Sequence, residues 1–213
     1  MASPGLRRRG PRDPDPQPIA GDEGVEANAR LTATTGAVIF FLLFAEGVTV
    51  LRIRGLLSAH VFIGMLVIPP VVVKTLSTVY RFARYYSGAP AYRRKGPPPA
   101  ILRLMGPVVV ILTLAVLASG VVLMYVGPAS RSTVLFLHKA SFVLWFGAMT
   151  IHVLGHVADT ARIAPRDWLA RSRRAVAGAG ARRWTAAASL VAGVLLGALL
   201  LGRVGPWLAS TTH

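Results

Sequence analysis

Five stretches of the chain, roughly 31 to 52, 56 to 82, 101 to 126, 133 to 158 and 184 to 204, are each apolar enough to cross a lipid bilayer as a helix. Crossing about 30 Å of hydrocarbon takes about 20 residues at about 1.5 Å each. No water is present there to satisfy an open backbone, so each segment must close its hydrogen bonds internally. The expected fold is therefore all-α, a polytopic membrane helical bundle. With 54% hydrophobic residues and a mean hydropathy of +0.55, the 213-residue chain leaves too little polar sequence for a soluble domain of normal size.

A formal charge of +16 invites a nucleic-acid reading, but the placement of the charges argues for topology instead. Arg7, Arg8, Arg9, Arg12 and Arg30 precede the first span. Arg81, Arg84, Arg93, Arg94, Lys95 and Arg103 lie between the second and third. Arg162, Arg166, Arg171, Arg173, Arg174, Arg182 and Arg183 lie between the fourth and fifth. These eighteen would share one side, against Arg52, Arg54, Arg131 and Arg203 on the other. The positive-inside rule then places the N-terminus in the cytoplasm and the C-terminus outside, and no nucleic-acid partner is needed. The chain has no cysteine, which excludes disulfides, thiolate ligation, iron–sulfur clusters and covalent haem attachment.

Residues 1–30 are rich in Pro, Gly, Arg and Asp and read as a disordered cytoplasmic tail. Arg7 to Arg9 resembles the start of a targeting segment, but the apolar stretch begins more than twenty residues later and is long enough to span uncleaved. Residues 31–160 form the expected four-helix bundle and 161–183 a basic cytoplasmic loop suited to anionic lipid. Residues 184–213 supply a fifth span, with Gly193 and Gly197 at the spacing of a packing face, and a short tail. Pro69-Pro70 should kink the second span or open a turn within it. Tyr80 to Tyr86 reads as an interfacial anchor, and Gly88 to Pro99 as a loop with an extended entry to the third span.

Polar residues inside the spans carry the functional signal. Glu46 is the acidic residue of the first span, and Lys139 or Arg52 is expected to neutralise it. His60 and His138 lie at matching distances from the outer ends of the second and fourth spans. That level placement suits two axial ligands on opposite faces of one porphyrin. Fourteen residues further along the fourth span comes His152, a rotation of about 1400° and a rise of about 21 Å, so one helix face presents both imidazoles. The same interval along the second span leads from His60 to Lys74, a rare iron ligand that is better suited to a propionate, a lipid or a quinone. His152 and His156 are also spaced to share a zinc ion, but Asp159 is the acid near them. Gly64, Gly120 and Gly147 could admit a ring close to the backbone, and Phe142, Trp145 and Phe146 could line it or simply pack.

The stretches His60-Val61-Phe62-Ile63-Gly64, Tyr80 to Tyr86, Gly96-Pro97-Pro98, His138-Lys139-Ala140-Ser141-Phe142 and His152-Val153-Leu154-Gly155-His156 resemble the bacterial membrane cytochrome b family. That family includes the cytochrome b subunits of nickel–iron hydrogenases and related four-helix di-haem proteins. The resemblance covers about residues 31–160. It implies a four-helix core in a bacterial cell membrane that binds non-covalent haem b, beside a fifth transmembrane helix. Electrons would pass between a quinone pool and a partner dehydrogenase or reductase subunit, with no substrate chemistry of the chain's own. His60, His138 and His152 match the ligand positions, with His156 an alternate. Lys74 stands where a second haem would need a histidine, so one haem is expected. A haem-free membrane scaffold or small transporter is the competing expectation, with Glu46 and the histidines satisfying one another.

The lack of cysteine makes the topology directly testable. A membrane-impermeant thiol reagent should label Ser132→Cys in intact cells and Arg94→Cys only in inverted vesicles. The reverse pattern would invert the orientation.

Overall fold

The computed structural model describes residues 22–96, 100–169 and 176–209, and the elements among them are all helical. They are α1 (Asp22–Leu51), α2 (Ile53–Tyr86), α3 (Pro90–Lys95), α4 (Ala100–Leu123), α5 (Pro128–Ile163), α6 (Ala179–Leu201) and α7 (Gly205–Ala209). Short 3-10 turns lie at Ala164–Asp167 and Gly202–Val204. α1, α2, α4, α5 and α6 are long and apolar enough to cross a membrane, so the chain is the expected all-α, multi-pass helical bundle. Its outer faces are apolar as a lipid solvent requires: Phe41 is 70% exposed and Leu199 79%.

Several boundaries differ from expectation, each for a local reason. α1 begins at Asp22, not near residue 31, so residues 22–30 are helical and do not belong to a tail. Asp22 and Glu23 face the positive end of the helix dipole, and Glu26 pairs with Arg30 one turn on at 3.0 Å. Residues 1–21 lie outside the described residues. No turn opens at Pro69–Pro70, through which α2 stays helical; its non-helical backbone lies at Leu56, just after the tight turn from α1. Pro70 is fully buried, and packing of this kind lets a membrane helix carry proline. Within the expected loop 88–99, α3 forms between Gly88 and Gly96, whose φ values of 85° and 73° are the left-handed conformations that glycine adopts at least cost. Pro97, Pro98 and Pro99 lie outside the described residues. Tyr92 of α3 packs edge-on against Tyr80, while burial and the nearby Arg81 hold the Lys95 ammonium below the usual lysine value.

Packing divides the spans into two groups. α2 lies closely against α1 and α6, and α4 closely against α5, whereas the two groups touch one another sparingly. The α2–α6 contact depends on the glycines read as a packing face. A Cβ at Gly197 would lie 2.8 Å from the Phe62 ring, and one at Gly193 would collide with the Leu66 backbone oxygen.

The segment expected as a lipid-facing basic loop is tied into the fold through an acid. Asp167, 1% exposed, accepts 2.5 and 2.7 Å hydrogen bonds from the Arg182 guanidinium at the start of α6 and a 3.2 Å bond from Arg30 of α1. Arg166 reaches Glu26 at 3.2 Å, and Arg182 also donates to the Ala177 carbonyl at 2.7 Å. Part of the excess basic charge is thus an internal clasp on α1 and α6. Residues 170–175, with Arg171, Arg173 and Arg174, lie outside the described residues.

Removing one partner of a buried charge group leaves the others uncompensated, at a cost of about 3–5 kcal/mol. Asp167→Ala should therefore lower thermal stability in detergent sharply. Asp159→Ala, which removes the partner of Arg162 in an exposed pair, should change it by no more than about 0.5 kcal/mol.

Candidate functional site

The hairpin of α1 and α2 brings Glu46 beside His60. The 2.9 Å separation between Glu46 Oε1 and His60 Nδ1 makes His60 the partner of the intramembrane carboxylate, in place of Lys139 or Arg52. Thr49, one turn beyond Glu46, lies on the same nitrogen at 3.1 Å and donates its hydroxyl to the Glu46 carbonyl at 2.6 Å. The carboxylate charge beside Nδ1 favours the proton on that nitrogen, which in the neutral ring leaves Nε2 its lone pair.

α4 and α5 hold His138 in the same state by different means. Its Nδ1 lies 3.1 Å from the Val116 carbonyl, which also can only accept, and 3.0 Å from Ser119 Oγ. Ser119 in turn donates to the Ala115 carbonyl at 2.7 Å, so its oxygen is free to accept from the ring. Gly120 gives the imidazole its room: a Cβ there would stand 3.2 Å from His138 Cε1. Both rings are thus held through Nδ1, and among the described residues neither Nε2 has a hydrogen-bond partner. Metal-bound imidazoles are held by the same arrangement, the far nitrogen fixed and the near one open.

The helices bring these two histidines together across the seam between the packing groups. Their ring centroids are 6.3 Å apart with planes at 79°. Two metal–nitrogen bonds of about 2 Å, with about 1 Å from each nitrogen to its ring centre, come to about 6 Å. The centroid separation is of the size that one metal between the rings would need. Among the described residues no three His, Asp or Glu side chains gather for a metal ion, but two protein ligands suffice where a macrocycle supplies the rest.

Lower in the bundle the arrangement changes. His152 and His156 meet on α5 with ring centroids 4.8 Å apart and planes tilted by 58°, and Lys74 of α2 lies within electrostatic range of both. The Lys74 ammonium donates a 3.4 Å hydrogen bond to the Thr32 carbonyl and occupies the space beside Gly36. Ser77, one turn along α2, joins Asn28 and Thr32 in a polar contact between α1 and α2. Nδ1 of His152 is buried without a hydrogen-bond partner. This lower histidine therefore lacks the support that both upper ones have.

Other residues singled out in the sequence take structural places. Trp145 is buried and donates to Thr113 Oγ1 at 2.9 Å, with Phe142 stacked on it at 6.2 Å, so both belong to the α4–α5 packing. Phe146 is 59% exposed and faces outward. Gly147 has open space where its side chain would be, whereas Gly64 makes room for Glu46 Oε1 at 3.4 Å. His213 lies outside the described residues. The sequence reading missed Thr49, Val116 and Ser119. Ser119 is recognisable only once α4 and α5 are paired, and a backbone carbonyl leaves no residue signal at all.

The chain matches no family model, no curated protein and no solved structure.

Crowding at the glycines separates the His138 and Glu46 surroundings. Gly120→Val should cost about 1–3 kcal/mol in detergent unfolding, because it forces the His138 ring aside, and Gly64→Ala, whose Cβ makes ordinary contact, should cost less.

Proposed function

We propose that the chain is a membrane electron-transfer protein that holds one haem b between His60 and His138. It would relay electrons between a quinone pool and a partner dehydrogenase or reductase, as the resemblance to bacterial membrane cytochrome b proteins implies. The observation that carries this reading is the pair of imidazoles 6.3 Å apart, each held through Nδ1 and each with Nε2 uncommitted. A bound haem would supply a one-electron couple whose potential depends on its ligands and surroundings. His60 and His138 would hold the iron through two protein ligands, which would suit electron relay more than oxygen binding. The protein's own contribution is to fix the two rings, exclude water and supply a low-dielectric seam.

One haem fits better than two. A lysine ammonium must lose its proton before it can ligate, and the facing His152 has no residue holding its Nδ1. Lys74, His152 and His156 offer hydrogen-bond donors instead, which suits a quinone carbonyl. A zinc site at His152 and His156 would need further ligands that the described residues do not bring near.

One observation favours the haem-free scaffold or small transporter. Glu46 and His60 already satisfy one another, as intramembrane polar groups do in a purely structural bundle. His138 separates the readings, since in a scaffold its second nitrogen would also find a partner between the helices.

Full-length protein purified in detergent should show a haem b band in its reduced-minus-oxidised spectrum, with about one haem per chain. His60→Ala and His138→Ala should lose it, and His152→Ala should keep it. A spectrum without haem b, or full haem content in the first two variants, would overturn the proposal.

A further inference from the structure

The two imidazoles across the seam are held by chemically unequal partners. His60 Nδ1 lies 2.9 Å from a carboxylate oxygen and shares a 3.1 Å hydrogen bond with Thr49, while His138 Nδ1 bonds to a backbone carbonyl at 3.1 Å and a hydroxyl at 3.0 Å. Glu46 is not an incidental neighbour. Thr49 braces it, with its hydroxyl 3.3 Å from Glu46 Oε2, and Oε1 lies against Gly64, 3.4 Å from where a Cβ would stand. The Glu46 side chain is only 16% exposed, so water does little to screen it. A carboxylate is costly to place in a membrane span, and a ring needing only to be held still could use a carbonyl, as His138 does.

We infer that Glu46 is a positioning residue that acts through His60 to lower the reduction potential of the haem, an inference that rests on the haem reading above. The carboxylate charge beside Nδ1 keeps the proton on that nitrogen and so leaves electron density on Nε2, strengthening that nitrogen as a donor. A donor of this kind, with a negative charge one imidazole away, stabilises ferric over ferrous iron. The neutral partners of His138 do this weakly. The two rings would thus offer one electron-rich and one ordinary ligand, and the potential would be set from the α1 side.

The test is a redox titration of the haem-loaded full chain, followed by its absorbance. Glu46→Gln keeps the shape and an acceptor oxygen but removes the charge. It should bind haem at wild-type content with an unchanged bis-histidine spectrum and favour the reduced form at least tenfold more, a rise of about 59 mV for one electron. Thr49→Val, which leaves the charge in place, should shift the potential much less. If Glu46→Gln folds poorly, Glu46→Asp replaces it, since the shorter carboxylate should raise the potential part of the way. An unchanged potential at full haem content in whichever of these variants folds would overturn the role of Glu46 and leave the haem reading standing. A wild-type protein with no haem b band would overturn both.

Discussion

Hydrocarbon cannot hydrogen-bond, and that limit decides where every polar side chain of the spans can point. Leu, Val and Phe on the outer faces meet lipid freely, so packing alone does not order the helices; polar partners and close contacts do. Glu46 reaches His60, His138 reaches Val116 and Ser119, Trp145 reaches Thr113, and Asn28 and Thr32 meet at Ser77. Each of these pairs joins adjacent spans, and together they fix how each hairpin is rotated about its axis. That rotation carries His60 and His138 to the seam.

The clasp around Asp167 adds a second kind of constraint. By holding Arg30 and Arg182 together it fastens the chain after α5 to the starts of α1 and α6. Gly193 and Gly197 then let α6 lie against α2 at Leu66 and Phe62, the latter two residues beyond His60. The fifth span is therefore more than a neighbour of a four-helix core. It backs the helix that carries His60 and keeps that helix from yielding away from the seam.

Much of this was legible in the sequence, and the rest was hidden for physical reasons. Apolar length gives the spans because bilayer thickness is fixed, and helical rise gives the equal depth of His60 and His138 because both positions count from a membrane surface. The partner of Glu46 was misjudged because charge alone pointed to Lys139 and Arg52, while the tight turn between α1 and α2 sets His60 directly beside it. Asp167 was overlooked within a run of arginines, where an acid reads as a minor correction to net charge. Its burial depends on three elements meeting, which no local pattern records. The early start of α1 follows from the same clasp, since Arg30 must be helical to reach Asp167.

The contrast between the two depths of the bundle bears on what the seam can hold. At His60 and His138 each Nδ1 is already engaged, so on the proposed reading the rings would receive a ligand with little further ordering. At Lys74 and His152 one ring nitrogen is orphaned and the ammonium makes a single long hydrogen bond. An ammonium has no lone pair for a metal, but it can donate to an oxygen. On the proposed reading, the upper pair would hold a metal and the lower group would receive an acceptor atom, the two kinds of site that electron transfer between an iron and an oxygen-bearing carrier would need at two depths.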